Sequence, residues 1–524
     1  MSNQDDKTAP FDLFIIGGGV NGCGIARDGA GRGLSVALAE KGDLASATSS
    51  ASTKLFHGGL RYLEYFEFSL VRKALKERDI LLAAMPHIAR PERFVFPLSP
   101  DMRFEAGTPT SRLLGTVMPW LKGRRPNWLI RAGLFFYDHM AGRSSLPGTR
   151  SLDLRHDVAG KPLKDRYRRA YEYSDCTVDD ARLVVLNAVD AARLGARIMT
   201  RTRVVGARRQ DGFWLIETQD AAGKSQLHRA RMLVNASGPW VQEVIEDVVH
   251  GHTGAQIRLV QGSHIIVPKL YDHGRAYYLQ GEDGRLVFMI PFHQDFTLIG
   301  TTETAKSSPD EPTRITEAEI DYLLAFTGRY LREPLRREQI IATFSGVRPL
   351  FDEGEASATS TTRDYHLELD QNDKLPVLHV FGGKITTYRV LAETVLEKLV
   401  PETTPWTARA PLPGGDFAVA DVGALEDALR RAHPFLDEGE ARRLIAAYGT
   451  DAARLLHGAR RREDLGRDFG AGLSERELRW MVEREFAMTG EDVLWRRSKL
   501  GLRLSALQAE SVSKWLEDAL KERL

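Results

Sequence analysis

Gly17, Gly19 and Gly22, in IIGGGVNGCG, satisfy the spacing G-x-G-x-x-G. The first glycine makes a tight turn. The second lets backbone approach a pyrophosphate, and the third lets a helix pack on the strand before it. FDLFII (11–16) has the apolar run of a buried parallel strand, and the small residues of GCGIARDGAGRG read as the following helix. LSVALAE is a second strand and ends on Glu40, about twenty residues past the motif, where a carboxylate accepts ribose hydroxyls. The helix start offers free N–H groups and a positive dipole end to phosphate. Strand, turn, helix and acid together read as a dinucleotide site, against the alternative of a glycine-rich turn with a surface Glu.

Three further stretches share this character. GDLASATSSASTKLFHGGLRYLEYFEF follows the second strand, where the phosphates and ring of the cofactor would extend. Its small residues let backbone and hydroxyls crowd a flat ligand. FGGKITTYR follows the apolar run LPVLHV and opens a helical pattern; Gly382 and Gly383 make the turn. It is not a P-loop, because Leu378 stands where the first glycine would be needed. A helix start there would stabilise negative charge on the pyrimidine ring of a reduced flavin. RMLVNASGPWV is a strand opening onto Ser237 and Gly238. The full fingerprint occurs once, which favours one bound FAD over an additional NAD site.

The chain has 524 residues, enough for two to four domains, with 43% hydrophobic and 27% charged residues. Its 72 basic and 71 acidic residues leave a net charge of +1, so bulk charge calls for no nucleic acid. Two cysteines, Cys23 and Cys176, are too few for a disulfide scaffold or a thiolate-held iron–sulfur cluster. Cys23 reads as helix packing. His250 and His252 lack the partners of a metal site, so no metal is expected. The N-terminus MSNQDDKTAP is polar and reads as no secretory signal, and no run is long and apolar enough for a membrane span.

Taken together, these stretches resemble the aerobic, FAD-dependent glycerol-3-phosphate dehydrogenases of bacterial respiratory chains. The similarity is carried by IIGGGVNGCGIARDGAGRGLSVALAEKGDLASATSSASTKLFHGGLRYLE, EYSDCTVDDARLV, VNASGPWV, QGSHIIVP, IGTTE, SGVRPL, TRDYHL, VFGGKITTYR and EDVLWRRSKLGL. It implies a flavoenzyme of the D-amino-acid-oxidase superfamily, α/β and α+β in class. The expected parts are a discontinuous Rossmann-like FAD-binding domain (11–95, 176–255 and 341–400), a sheet-based substrate and membrane-facing domain (96–175 and 256–340), and an all-helical C-terminal cap (401–524). The implied reaction oxidises sn-glycerol 3-phosphate to dihydroxyacetone phosphate and passes electrons to a ubiquinone-type acceptor. A homodimer bound peripherally to the inner face of the cell membrane is expected. The rival in the same fold is an oxidase that gives its electrons to O2. A regulatory module that has lost catalysis is a rival of another class.

The resemblance also assigns roles. Arg61, Arg363 and Lys384, with Tyr62 nearby, would hold the substrate phosphate, for which Arg offers a bidentate fork. His264 is the expected base at the C2 hydroxyl, and Arg348 would stabilise developing alkoxide charge. His57 would contact or orient the flavin, and Thr301, Thr302 and Glu303 would orient the arginines. The expected cofactor contacts are Gly17, Gly19, Asn21, Gly22, Glu40, Thr48, Ser49, Ser50, Lys54, His57, Gly58, Gly59, Val204, Ser237, Gly238, Gly383, Lys384 and Thr386.

Two regions lie outside this chemistry. In 110–143, Trp120, Trp128, Leu129, Phe135 and Phe136 are interleaved with Lys122, Arg124, Arg125 and Arg131. That is the composition of an interfacial membrane segment; a buried helix with snorkelling arginines reads the same way. After Pro401 the apolar pattern turns helical, with Thr489 placed to cap a helix.

Overall fold

The computed structural model describes residues 9–99, 102–103, 108–117, 125–140, 142, 146–281, 284–352, 365–371 and 374–521. Two sheets organise the first four-fifths of the chain. In the first, Phe11–Ile16 lies parallel between Val36–Ala39 and Ser225–Asn235. Arg197–Met199 extends the sheet on one side, in parallel with Val36–Ala39. Val377–Gly382 extends it on the other, in parallel with Ser225–Asn235, and Tyr365–Asp370 closes that edge antiparallel. Thr202–Gln210 and Phe213–Asp220 form an antiparallel hairpin joined to Ser225–Asn235. Phe14, Ile15, Ala37 and Leu38 are completely buried. Strands covered on both faces need such unbroken apolar runs, and each large side chain so buried contributes about 2 kcal/mol. The helices Val20–Gly31, Asp180–Arg193 and Tyr388–Leu399 pack together with one face of this sheet.

The second sheet runs in the order Thr304–Lys306, Gln256–Pro268, Phe296–Gly300, Leu286–Phe292, Ala276–Gln280, Ala89–Pro97, Arg169–Val178 and Leu55–Phe56. Ala342–Asp352 pairs with Gln256–Pro268 along its whole length. Leu55–Phe56, Ala89–Pro97 and Ala342–Asp352 therefore belong to this sheet, although the sequence reading grouped 11–95 and 341–400 with the nucleotide portion. The reason is physical: strand pairing is decided by distant partners, not by chain neighbours. The long pair places His264 opposite Phe344 and Gly300, and Val260 opposite Arg348.

The interfacial-looking segment contains two helices among the described residues, Pro109–Val117 and Asn127–Met140. The second buries Ile130, Leu134 and Tyr137 while Trp128, Phe135 and Phe136 stay exposed. Trp120, Lys122 and Arg124 lie outside the described residues, as does Arg363. No described helix is long and apolar enough to cross a membrane. Beyond residue 401 the regular elements described are helical, built around Leu444, Ile445, Leu478, Met481, Val512 and Leu516. Thr489 Oγ1 accepts the Asp492 N–H at 3.3 Å while Asp492 Oδ2 accepts the Thr489 N–H at 2.9 Å, the reciprocal pattern of a helix cap. Cys23 and Cys176 are buried and unpaired in any disulfide.

Candidate active site

A cavity of about 700 Å³ opens at the carboxyl ends of the parallel strands and extends to the second sheet. The glycine turn forms one end of it. Gly17 has φ +111°, and a Cβ there would lie 2.5 Å from the Ala236 carbonyl oxygen. A Cβ on Gly22 would lie 1.9 Å from the Gly17 oxygen, so Gly22 packs inside the turn and does not line the cavity. Glu40 ends its strand with both carboxylate oxygens accepting N–H groups, from Gly18 at 2.6 Å and Gly42 at 2.7 Å. Burial raises its pKa despite those two bonds. In the first turn of the helix, Asn21 Nδ2 donates to the Gly382 carbonyl at 3.2 Å, and Asn21 Oδ1 is buried with no partner among the described residues.

The remaining walls come from distant segments. Thr48, Ser49, His57, Gly59, Arg61 and Tyr62 line the cavity from the second strand's long loop. Val204, Ser237, Gly238, Gly383, Lys384 and Thr386 line it from three other places. Lys384 Nζ stands 4.1 Å above the Tyr62 ring, which joins two of the expected substrate residues by a cation–π contact. Arg348 reaches the cavity from the second sheet. Its Nη2 donates to Thr301 Oγ1 at 2.9 Å, and its Nη1 lies 3.6 Å from Glu303 Oε1.

Several expected residues lie just outside. Ser50, Lys54 and Gly58 do not line the cavity. Lys54 Nζ is buried against Asp180, at 2.7 and 2.9 Å, and donates to the Ser50 carbonyl at 2.8 Å. A Cβ on Gly58 would meet Leu75 and Tyr137. His264 is 1% exposed and stacks on Phe344, with ring centroids 4.7 Å apart. Burial, then the charges of Arg348 and Lys54, hold its pKa well below the usual histidine value, so the imidazole is neutral. Its Nε2 lies 3.1 Å from Thr53 Oγ1, and Thr53 does line the cavity. His264 is thus one side chain removed from the space.

Two further residues, one behind Arg348 and one on the cavity wall, carry a local signal in the sequence. Gly262 interrupts an apolar strand; a Cβ there would lie 2.5 Å from Arg348 Nη2 and 2.6 Å from Thr301 Oγ1. A glycine inside a strand pattern marks such close approach. Asp175, a charge within the buried strand AYEYSDCTV, lines the cavity and accepts from Tyr137 Oη at 2.8 Å and Arg78 Nη1 at 3.0 Å. Tyr137 Oη in turn accepts the Gly58 N–H at 2.7 Å. Desolvation lifts the Asp175 pKa to about 6, against the lowering effects of Arg78 and Tyr137. A raised carboxyl pKa means the folded state binds the proton more tightly than the unfolded one. This group's contribution is therefore full below pH 3.8 and is lost as pH rises to about 6. Tm of wild type minus Tm of Asp175→Asn should accordingly fall across that interval and level off above it. A difference that rises with pH there would place the Asp175 pKa on the other side of its ordinary value.

The cradle fits FAD: close-packed turn glycines, a strand-end carboxylate, a helix start with an unpartnered amide oxygen, and a cavity that continues past them to a cationic end. Comparison with known proteins agrees. The family "FAD dependent oxidoreductase" matches residues 12–388. The chain belongs to that family. The C-terminal domain of alpha-glycerophosphate oxidase matches residues 405–522. The aerobic glycerol-3-phosphate dehydrogenase of Escherichia coli (strain K12) is 46% identical over 98% of this chain and 98% of its own. The D-erythritol 1-phosphate dehydrogenase of Brucella abortus (strain 2308) is 48% identical over 97% of this chain and 98% of its own. Among solved structures, the Bacillus halodurans glycerol-3-phosphate dehydrogenase complexed with FAD superposes with a TM-score of 0.71 at 24% identity, over 98% of this chain and 95% of that one. The protein is thus an FAD-dependent oxidoreductase, similar over nearly its whole length to polyol-phosphate dehydrogenases. The discontinuous FAD-binding fold and the helical C-terminal region expected from the sequence are both present.

Proposed function

We propose that the protein oxidises sn-glycerol 3-phosphate to dihydroxyacetone phosphate and delivers the electrons to a membrane quinone. The observation that carries this reading is the meeting of Lys384 with Tyr62 in one cavity with Arg61, Arg348 and the glycine cradle. A phosphate needs cations at one end of such a space, and a secondary alcohol must then lie between those cations and the cofactor. When bound, FAD supplies the acceptor for the hydride that leaves C2. Arg61 and Lys384, joined in this reading by Arg363, hold the phosphate. Arg348 faces the C2 oxygen as its proton departs, and Thr53 with the neutral His264 behind it receives that proton. His57, on the cavity wall, orients the cofactor.

The acceptor assignment rests on the exposed aromatic surface. Trp128, Phe135 and Phe136 stand out from Asn127–Met140, with Arg131 exposed beside them, and Phe66 and Phe68 are exposed just before and at the start of the neighbouring helix Phe68–Ala84. Exposed aromatics with basic neighbours suit peripheral attachment to a lipid surface, where a quinone is available. A second reading, oxidation of D-erythritol 1-phosphate, is favoured by the 48% identical relative.

Anaerobic addition of sn-glycerol 3-phosphate should bleach the flavin absorbance of the purified protein, and faster than D-erythritol 1-phosphate does. The opposite order would move the assignment to the four-carbon polyol, and no bleaching with either would sink the proposal. Stoichiometric peroxide on admitting air would favour an oxidase. Lys384→Met should raise KM for the phosphorylated substrate about 10- to 100-fold, the loss of one charge-assisted bond, while leaving oxidation of unphosphorylated glycerol nearly unchanged. Equal loss on both would remove Lys384 from the phosphate.

A further inference from the structure

The chemistry above leaves the C-terminal helical part without a role, yet one of its segments grips the wall of the cofactor site. Asp43 follows Glu40 closely in sequence and is 3% exposed. Its carboxylate accepts Arg496 Nε at 2.6 Å and Arg497 Nη2 at 2.8 Å, with a second close contact from Arg497 Nη1. Arg497 is 1% exposed and also donates to the Glu485 carbonyl, at 3.1 and 2.6 Å. Asp492, completely buried, bridges the set: Oδ1 accepts Arg496 Nη2 at 2.6 Å and Oδ2 accepts Arg201 Nη2 at 2.5 Å.

Arg201 belongs to the same wall. Its N–H donates to the Gly42 carbonyl at 2.8 Å, and the Thr202 N–H donates to the Glu40 carbonyl at 2.8 Å. The Ala45 N–H closes the loop onto the Gly18 carbonyl of the glycine turn at 3.1 Å. Lys41, Ala45, Ser46 and Thr202, which line the cavity, are all carried by these two backbone segments. Both segments are therefore anchored through one side chain each, Asp43 and Arg201, to the same stretch of the C-terminal part.

We propose that Asp492–Arg497 is a positioning clamp for FAD: it fixes the loop between Glu40 and Ser46 and so sets the affinity for the cofactor without touching it. Three guanidinium groups, those of Arg201, Arg496 and Arg497, meet the two buried carboxylates of Asp43 and Asp492, and Glu491, which accepts from Arg496 Nη1 at 2.7 Å, completes the charge balance. Removing one member leaves an uncompensated charge that the loop can relieve only by moving towards water. Such a movement would carry Lys41, Ala45 and Ser46 with it. The ion pair Arg193–Asp451, at 3.0 Å, ties the C-terminal part to Asp180–Arg193 without touching this loop, and so separates clamping from simple docking.

The test compares FAD affinity of deflavinated protein, by flavin fluorescence on adding FAD back, for Asp43→Asn, Arg201→Ala and Arg193→Ala. Asp43→Asn should bind FAD about tenfold more weakly or worse, and Arg201→Ala about threefold more weakly. At saturating FAD both should recover kcat to within about twofold of wild type, since a positioning role is relieved by mass action. Arg193→Ala should bind FAD as wild type does. The Arg201 side chain is 20% exposed against 2% for Asp43, so its truncation is made nearer the surface and it decides the matter should Asp43→Asn fail to fold. Wild-type FAD affinity in Arg201→Ala, or equal weakening in Arg193→Ala, overturns the proposal.

Discussion

Gly17→Val is expected to leave a folded protein that no longer retains FAD. The backbone at Gly17 sits at φ +111°, outside the region that a β-branched residue adopts. The added Cβ would also meet the Ala236 oxygen at 2.5 Å, its carbon at 2.9 Å and the Ser237 Cα at 3.1 Å. These are backbone atoms and cannot rotate aside. Relief requires the turn to move away from Ser225–Asn235, and that opens the Ser237–Gly238 wall along with the phosphate cradle. Strain of this kind costs about 1–3 kcal/mol before any lost cofactor contact is counted, so FAD affinity should fall by at least about fivefold. The flavin-to-protein absorbance ratio after gel filtration measures it, with circular dichroism to establish that the fold persists. Undiminished flavin in Gly17→Val would mean that the turn is not the cofactor cradle.

Why this turn was legible in the sequence, and other parts of the site were not, follows from the range of the interactions. Gly17, Gly19, Gly22 and Glu40 act within one strand–helix–strand unit, so their spacing alone encodes the geometry. His57 and Arg61 likewise reach the cavity from a single short loop. The contact between Tyr62 and Lys384 has no local spacing to read; it exists because Val377–Gly382 joins the first sheet beside Ser225–Asn235. The resemblance to a known family supplied that pairing, and it also supplied the expected substrate. It could not supply depth. His264 points into a packed layer against Phe344 and communicates with the cavity through Thr53, because its strand is covered on both sides. Gly262 and Asp175 carried local warnings, a glycine and a charge in apolar strands, whose meaning depended on neighbours from other strands. The C-terminal clamp was invisible for the same reason. WRRSKLG reads as a basic helix end until Asp43 is seen against it.

The largest loss of turnover should come at Arg348. Its guanidinium is aimed by contacts on two sides: Thr301 Oγ1 accepts from Nη2 at 2.9 Å, and Glu303 lies 3.6 Å from Nη1. Gly262 leaves the room that the fork needs. A cation fixed in this way would not have to reorganise as charge grew on a substrate oxygen beside it. Removing one such donor typically costs about 10²–10³ in rate. Arg348→Met should therefore lower kcat, and the rate of anaerobic flavin reduction by sn-glycerol 3-phosphate, by about that factor, with FAD content unchanged. Arg348→Lys should recover only part of it, because an ammonium cannot engage Thr301 and the substrate oxygen with the same planar fork. The two variants also separate two roles for the charge. If Arg348 acted mainly by holding the phosphate, Lys would restore KM and both variants would reduce flavin normally at saturating substrate. If it acts at the reacting oxygen, flavin reduction stays slow at saturation, and the deficit in Arg348→Lys measures how much of the effect is geometry and how much is charge.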